Sequence, residues 1–167
     1  MKNAFLFAAL LCAAAPAMAQ TSAPTAAASP PATYPPYGRA ITLAEAKVAV
    51  AAAEAEARKN GWTMVITIVE PNGALVLSEK MDGTQYGSID VARKKAETAA
   101  QFRRPTSVFQ QAVKDGNLNS IFTGAMALEG GELLVINGQT VGAIGVSGAM
   151  APQDGQVART GVAALGS

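Results

Sequence analysis

Residues 129–154, EGGELLVINGQTVGAIGVSGAMAPQD, constrain the fold of this chain more than any other stretch. Two apolar runs flank Asn137-Gly138, a dipeptide that favours a type I′ turn because both central residues of that turn need a positive φ. The sequence therefore predicts a β-hairpin. Its second run carries three glycines within residues 141–148, which indicates close approach to the backbone. We favour packing against a helix or a subunit over a phosphate loop, because no Gly-Lys-Ser/Thr follows.

Capping signals predict a helix at each end of the folded part. Thr42 and Glu45 form a capping box, and the helix that follows ends at Asn60-Gly61. The last helix starts near Pro152, which is a favourable first-turn residue. Asp154 then lies in the first turn, where we expect it simply to stabilise the helix N-terminus.

Two further helices lie in the middle of the chain. One runs from Ser88 to about Arg104 and ends before Pro105. Its predicted buried stripe is Ile89, Ala92, Ala96 and Ala99. A second capping box at Ser107 and Gln110 begins a short helix.

The predicted strands pair as sequential hairpins. Residues 62–70 are apolar on both faces and predict a central strand, and residues 75–80 return beside it. In the mixed segment 117–128, Phe122 and Met126 are expected to be buried. The order of elements is helix, two strands, two helices, hairpin, helix. It predicts an α+β domain with an antiparallel sheet.

The N-terminus predicts export. Residues 1–19 read as a secretory signal peptide, with Lys2 before an apolar run that is too short to span a bilayer and a small-residue cleavage site at Ala19. Residues 20–38 read as a flexible linker rich in Pro and Ala, and residues 39–167 as one folded domain. Tyr34 and Tyr37 either dock on the domain or stay solvated. The expected location is periplasmic or secreted.

Missing residue types exclude several functions. The chain has no His and one Cys, Cys12, which cleavage removes. A Ser-His-Asp or Cys-His pair, a His/Cys zinc site and histidine-ligated heme are therefore impossible in the mature chain. Removing Lys2 leaves 12 basic and 12 acidic residues. This zero balance provides no electrostatic case for binding nucleic acid or an acidic membrane.

Polar loops and charged side chains are the remaining candidates. Residues 81–87 form a polar loop after a strand, a common place for a site and equally a plain connector. The basic helix that follows reads as a solvated face, or as one that presents a cation to an anionic ligand. Four carboxylates could form an acid–base pair or a metal site, although their spacing is not diagnostic. They are Glu70, Glu79, Asp82 and Asp154.

The folded part resembles the GlcG/HbpS family, which also includes the C-terminal domain of PduO-type proteins. Several short stretches carry the resemblance in order. They are Leu43-x-x-Ala46, Ile68-Val69 with Gly73-x-Leu75, Lys80-Met81-Asp82-Gly83, residues 92–99, Phe102 with Pro105-Thr106, Gly130-Gly131, and residues 141–148 followed by Asp154.

The resemblance implies a profilin-like sandwich with a central antiparallel sheet flanked by helices, and assembly into homo-oligomers. It implies a module that binds heme or another small molecule for sensing, buffering or transport, without catalysis. Because His is absent, heme iron would need Met81, Tyr86, Thr98, Thr106 or no strong protein ligand. The ligand-binding candidates that follow from the shared motif are Met81, Asp82, Tyr86, Lys94, Lys95, Phe102, Arg103, Gly145, Ser147 and Gly148.

In a heme-binding module, Lys94, Lys95 or Arg103 would meet carboxylates such as heme propionates. Two alternatives stay open, and the first is an enzyme acting on a small oxo or hydroxy acid. Lys95 would then be its electrophile or Schiff-base former, with Asp82 or Glu70 as the acid–base group. The second alternative is a ligand-free assembly domain.

Overall fold

The computed structural model describes residues 34–166, apart from the side chain of Ser120. The predicted signal peptide and most of the predicted linker lie outside the described residues. The described elements follow the predicted order, with one unpredicted four-residue helix added before the hairpin. They are α1 (Leu43–Lys59), β1 (Val65–Val69), β2 (Leu75–Lys80), α2 (Gly87–Phe102), α3 (Thr106–Lys114), α4 (Asn119–Phe122), β3 (Gly131–Ile136), β4 (Gln139–Ser147) and α5 (Ala151–Ala163).

The sheet has four antiparallel strands in the order β2-β1-β4-β3. All five residues of β1 are buried, as expected for a central strand between β2 and β4. The β3–β4 hairpin turns at Asn137 and Gly138, with φ values of 51° and 73°. Both angles are positive, which confirms the predicted turn.

Helices cover both faces of the sheet, so the α+β prediction is confirmed. Helices α1 and α5 pack on one face, over a core that includes Ile66, Ile68 and Ile144. Helix α2 packs on the other face, where Val69 and Ala143 meet its alanines. Within residues 34–166, no helix is both long enough and apolar enough to cross a membrane.

The glycine run allows α2 to lie directly on β4. A Cβ at Gly145 would overlap the carbonyl oxygen of Ala92 and the backbone of Ala96. Small residues on both partners therefore bring the helix and strand backbones together. The predicted close packing against a helix is confirmed at Gly145, within one chain, whereas Gly142 and Gly148 approach the backbone of Val69 and Thr63.

The segment before α1 docks on the domain. Gly38 donates its N–H to the Thr140 carbonyl at 2.9 Å, and Thr140 donates to the Pro36 carbonyl at 2.8 Å. The Tyr37 hydroxyl donates to the carbonyls at the end of α2, at 3.0 Å to Ala100 and 2.8 Å to Gln101. Of the two options for Tyr37, docking is therefore the one observed.

The boundaries of α2 and α3 differ from the prediction. Helix α2 ends at Phe102 because Arg103 adopts a left-handed conformation with φ of 49°. The capping box predicted at Ser107 and Gln110 is wrong: α3 begins at Thr106, and its N-cap, Pro105, makes no side-chain hydrogen bond.

The predicted burial of Phe122 is also wrong, since its side chain is 87% exposed. Phe122 lies at the end of α4, which has only four residues, and its ring faces solvent. Ile89, which was expected on the buried stripe of α2, is exposed near the first turn. Ala92, Ala96 and Ala99 are buried as predicted.

Candidate functional site

Helix α2 carries the two most distinctive environments of the described domain, one on each side. The first is a buried ion pair facing the sheet. The Lys95 Nζ donates to the Asp154 Oδ2 at 2.7 Å and to the Val146 carbonyl at 2.9 Å. The two charged side chains are 2% and 4% exposed. Asp154 lies in the first turn of α5. The pair therefore ties the N-terminus of α5 to α2, beside the end of β4.

Burial perturbs both members of this pair. Desolvation lowers the pKa of Lys95, while the hydrogen bond to Asp154 acts in the opposite direction. Desolvation also raises the pKa of Asp154 against the influence of Lys95. Asp154 accepts a second hydrogen bond from the Ala149 N–H at 3.1 Å. The sequence predicted only that Asp154 stabilises the helix N-terminus. The structure adds a second role, because its carboxylate is also the counter-ion of Lys95.

Gly130 leaves the space that the pair occupies. A Cβ at this position would come within 2.8 Å of the Lys95 Nζ and the Asp154 Cβ.

A second cluster of charged side chains is centred on Arg159. Its guanidinium contacts Glu129 at 2.9 Å and Glu132 at 3.4 Å. Burial raises the pKa of Glu132, and the positive charge of Arg159 acts in the opposite direction.

The second environment is an open groove between α2 and residues 121–128. Its volume is about 560 Å³. From α2 it is lined by Lys94, Glu97, Thr98, Gln101 and Phe102, and from the facing segment by Ile121, Thr123, Gly124, Ala125, Met126, Ala127 and Leu128. The volume is in the range of ordinary small-molecule sites, roughly 300–1,000 Å³.

The groove lining carries one cation, Lys94, and one carboxylate, Glu97, which is already paired. Arg93 holds the carboxylate of Glu97 at 2.7 Å. Lys94 is exposed, and no hydrogen bond or ion pair engages its ammonium among the residues that the structure describes. The groove therefore offers one free cation beside apolar side chains such as Phe102 and Leu128. Such a cation suits an anionic group on an otherwise apolar ligand.

Two contacts hold the groove walls in place. The Met126 N–H donates to the Thr98 Oγ1 at 3.0 Å, which joins the irregular segment to α2. Phe102 packs edge-on against Phe109 of α3, with ring centroids 5.3 Å apart. One hydrogen bond thus joins the two walls of the groove, and the Phe102–Phe109 contact holds Phe102 at its edge.

Of the sequence-predicted ligand residues, only Lys94 and Phe102 line this groove. Lys95 faces the sheet instead. Arg103 lies over the Tyr37 ring at 4.9 Å and donates to the Pro35 carbonyl, so it holds the docked N-terminal segment. These two cations do not border the groove, because they lie on a different side of α2 or beyond its end.

The loop and hairpin candidates also lie elsewhere. Met81 is buried, with its sulfur accepting the Met64 N–H at 3.4 Å, whereas Asp82 and Tyr86 are exposed on the loop before α2. Gly145 and Gly148 make backbone contacts, and the hydroxyl of Ser147 lies 3.3 Å from that of Ser88. The ten candidates thus do not form one pocket.

Sequence reasoning missed most of the groove. Met126 was expected only as a buried residue, and it lines the groove with a half-buried side chain. Of the proposed threonines, Thr98 lines the groove and Thr106 is buried, accepting the Gly131 N–H at 2.9 Å. Among residues 34–166, no group of three or more Asp and Glu side chains is placed to hold a metal ion.

Comparisons with known proteins place this geometry in a family. Protein GlcG of Escherichia coli K12 is 36% identical over 103 residues, which are 61% of this chain and 77% of GlcG. A double mutant of HbpS from Streptomyces reticuli superposes with a TM-score of 0.71 at 33% identity, covering 87% of this chain and 99% of that one.

A third match is a structure of PduOC in complex with heme. Its TM-score is 0.68 at 28% identity, and the match covers 75% of this chain and 94% of that one. The family model described as "Haem degrading protein HbpS-like" matches residues 41–163. That range contains every described helix and strand from α1 to α5. The chain therefore belongs to the HbpS-like family.

Proposed function

We propose that this chain is an exported, non-catalytic binding protein that holds heme in the groove between α2 and residues 121–128. The groove is the observation that carries the proposal. Its apolar side chains, its free cation at Lys94 and its volume of about 560 Å³ suit a flat apolar ligand with carboxylates. The PduOC structure in complex with heme supports the choice of ligand.

The residues present fit such a ligand without histidine. Phe102, Ile121 and Leu128 provide apolar surface, and the Lys94 ammonium is free to meet a propionate. When bound, heme would supply an iron centre whose properties depend on its axial ligand and on the polarity around it. The chain's own part is to bind, orient and partly shield the ligand.

Export and assembly belong to the same proposal. The signal-like residues 1–19 support cleavage near Ala19 and a periplasmic or secreted location. The resemblance to GlcG/HbpS proteins supports a homo-oligomer. Sensing, buffering or transport of the ligand fits a non-catalytic module in that compartment. N-terminal sequencing of the exported chain and light scattering of the purified protein test these two points.

The enzyme alternative receives no support from the geometry. Desolvation lowers the pKa of Lys95, as a Schiff-base lysine requires, but such a lysine must also present its amine to the substrate. The Lys95 amine is 2% exposed and is paired with Asp154. Borohydride trapping with keto acids tests this, and we expect no adduct on Lys95.

Titration of hemin into the tag-free mature chain, residues 20–167, is the test of heme binding. A tag must be absent because its histidines would supply a ligand that the chain lacks. We expect a saturable Soret change with a defined stoichiometry. A linear response without saturation would indicate surface adsorption and overturn the proposal.

A groove-filling variant locates the site. Ala127→Trp adds a large ring to the groove lining and should abolish the saturable phase. Ala52→Trp, on the opposite face of the sheet, is the matched control and should bind like the unsubstituted chain. Equal binding by both variants would place the ligand elsewhere.

A further inference from the structure

Heme in this groove would meet few side chains that can ligate iron. The polar or sulfur-containing residues of the lining are Lys94, Glu97, Thr98, Gln101, Thr123 and Met126. Among these, Met126 offers the only soft donor, a thioether sulfur, which is an established heme ligand type. The other methionines in residues 34–166 are Met64 and Met81, both in the core beside α1, and the exposed Met150.

The remaining donors are less suitable. Glu97 is engaged by Arg93 at 2.7 Å. Gln101 donates its amide to the Asn72 carbonyl at 3.4 Å. The ammonium of Lys94 must lose a proton before its nitrogen can ligate a metal. Neutral threonine hydroxyls are weak ligands, and the Thr98 oxygen already accepts the Met126 N–H.

The fold holds Met126 at a defined position although no helix or strand contains it. Its N–H donates to the Thr98 Oγ1 at 3.0 Å, and Thr98 is itself buried on α2. Ala125, the preceding residue, is buried as well. Further along, the Glu129 N–H donates to the Gln110 Oε1 at 3.0 Å. Hydrogen bonds at both ends therefore fix the segment that carries the thioether.

We infer that the Met126 sulfur is the axial ligand of the heme iron in this chain, an assignment that rests on the proposed function. A thioether is a softer ligand than imidazole or water and favours ferrous over ferric iron. In heme proteins, methionine ligation raises the reduction potential. This histidine-free domain would thus bind ferrous heme more tightly than ferric heme.

Met126→Leu tests the assignment because it keeps the size and apolar character of the side chain while removing the sulfur. Met150→Leu is the matched control, since Met150 is 70% exposed at the start of α5, away from the groove lining. We expect Met126→Leu alone to lose the near-infrared sulfur-to-iron charge-transfer band and to lower the reduction potential. Losing a supporting group around a metal costs roughly 10–100-fold in affinity, so loss of the ligand itself should weaken ferrous heme binding at least about tenfold.

Two outcomes separate this inference from the proposed function. If all three proteins bind heme with the same spectra and potentials, Met126 is not the ligand, although heme binding stands. If the unsubstituted chain shows no saturable binding, both statements fall. Met126→His provides a positive readout, because imidazole at the correct position should convert the spectrum to that of a histidine-ligated heme. An unchanged spectrum in this folded variant would also overturn the assignment.

Discussion

Lys94 and Lys95 are consecutive on α2, yet they have opposite surroundings. Lys94 is exposed at the groove, while Lys95 is enclosed between α2, β4 and the start of α5. One step along an α-helix rotates the side chain by about 100°, which is enough to move a charge from water into the core. The sheet-facing side of α2 therefore determines stability, and the groove-facing side is available for ligands.

The largest effect is expected from breaking the buried ion pair. Asp154→Ala leaves the Lys95 ammonium without its counter-ion and should lower the free energy of unfolding by about 3–5 kcal/mol. Urea unfolding of residues 20–167 measures this change. The double variant Lys95→Met/Asp154→Leu removes both charges and should regain most of the loss. A loss below about 1 kcal/mol in Asp154→Ala would show that Lys95 reaches water.

Close packing on the same side of α2 predicts the next effect. Gly145→Ala inserts a methyl group against the Ala92 carbonyl and should cost about 1–3 kcal/mol of unfolding free energy through overpacking. Gly87→Ala is the matched control, because Gly87 also lacks a positive φ and a Cβ there would meet no atom within 4 Å. Equal losses in the two variants would contradict tight α2–β4 packing.

The pH dependence of stability provides a third test of the buried side. In Asp154→Asn, burial acts on Lys95 without the carboxylate that opposes it, so the pKa of Lys95 should fall further below its ordinary value of 10.5. Between the lowered folded pKa and 10.5, the unfolded state binds the extra proton. Stability should therefore rise with pH there, by at most about 1.4 kcal/mol per pH unit.

Urea unfolding between pH 7 and pH 10 measures this slope. The unsubstituted chain should show a weaker rise, because Asp154 holds the proton on Lys95. The same slope in both proteins would mean that Asp154 does not influence the titration of Lys95.

On the groove side, Thr98→Val should have a smaller effect on stability. It removes the acceptor of the Met126 N–H and should cost about 1 kcal/mol of unfolding free energy. Heme affinity should fall with it, because residues 121–128 lose this hydrogen bond to α2. Thr160→Val, which removes a hydroxyl from the surface of α5, is a matched control for affinity. Unchanged heme affinity in Thr98→Val would show that this hydrogen bond does not shape the groove.

The smallest effect on stability is expected at Lys94. Lys94→Gln should change the free energy of unfolding by less than about 0.5 kcal/mol, since its ammonium has no partner among the described residues. It should nevertheless weaken heme binding, and the difference should shrink at high salt. Lys47→Gln, an exposed lysine on α1, should leave binding unchanged. Equal heme affinities for the two variants would remove Lys94 from the site.

The local parts of this fold could be predicted because their signals are local. The Asn137-Gly138 turn, the capping box at Thr42 and the buried strand at residues 65–69 depend on neighbours in sequence. The predictions failed at Phe122 and at the start of α3, where backbone geometry and surface area decided the outcome. Gly145 was predicted to pack closely and was also named as a ligand candidate, and its contact with the backbone of α2 accounts for the glycine by packing.

The sequence alone determined that this is an α+β chain with an antiparallel sheet, that no histidine can belong to any site, and that residues 34–166 contain no cysteine. Only the tertiary structure decided which lysine is buried, which carboxylate pairs with it and which methionine lines the groove. Lys95 and Asp154 are 59 residues apart, and Thr98 and Met126 are 28 apart. Contacts between such distant residues depend on how helices and strands pack, because residue type and local spacing carry no information about the partner across the fold.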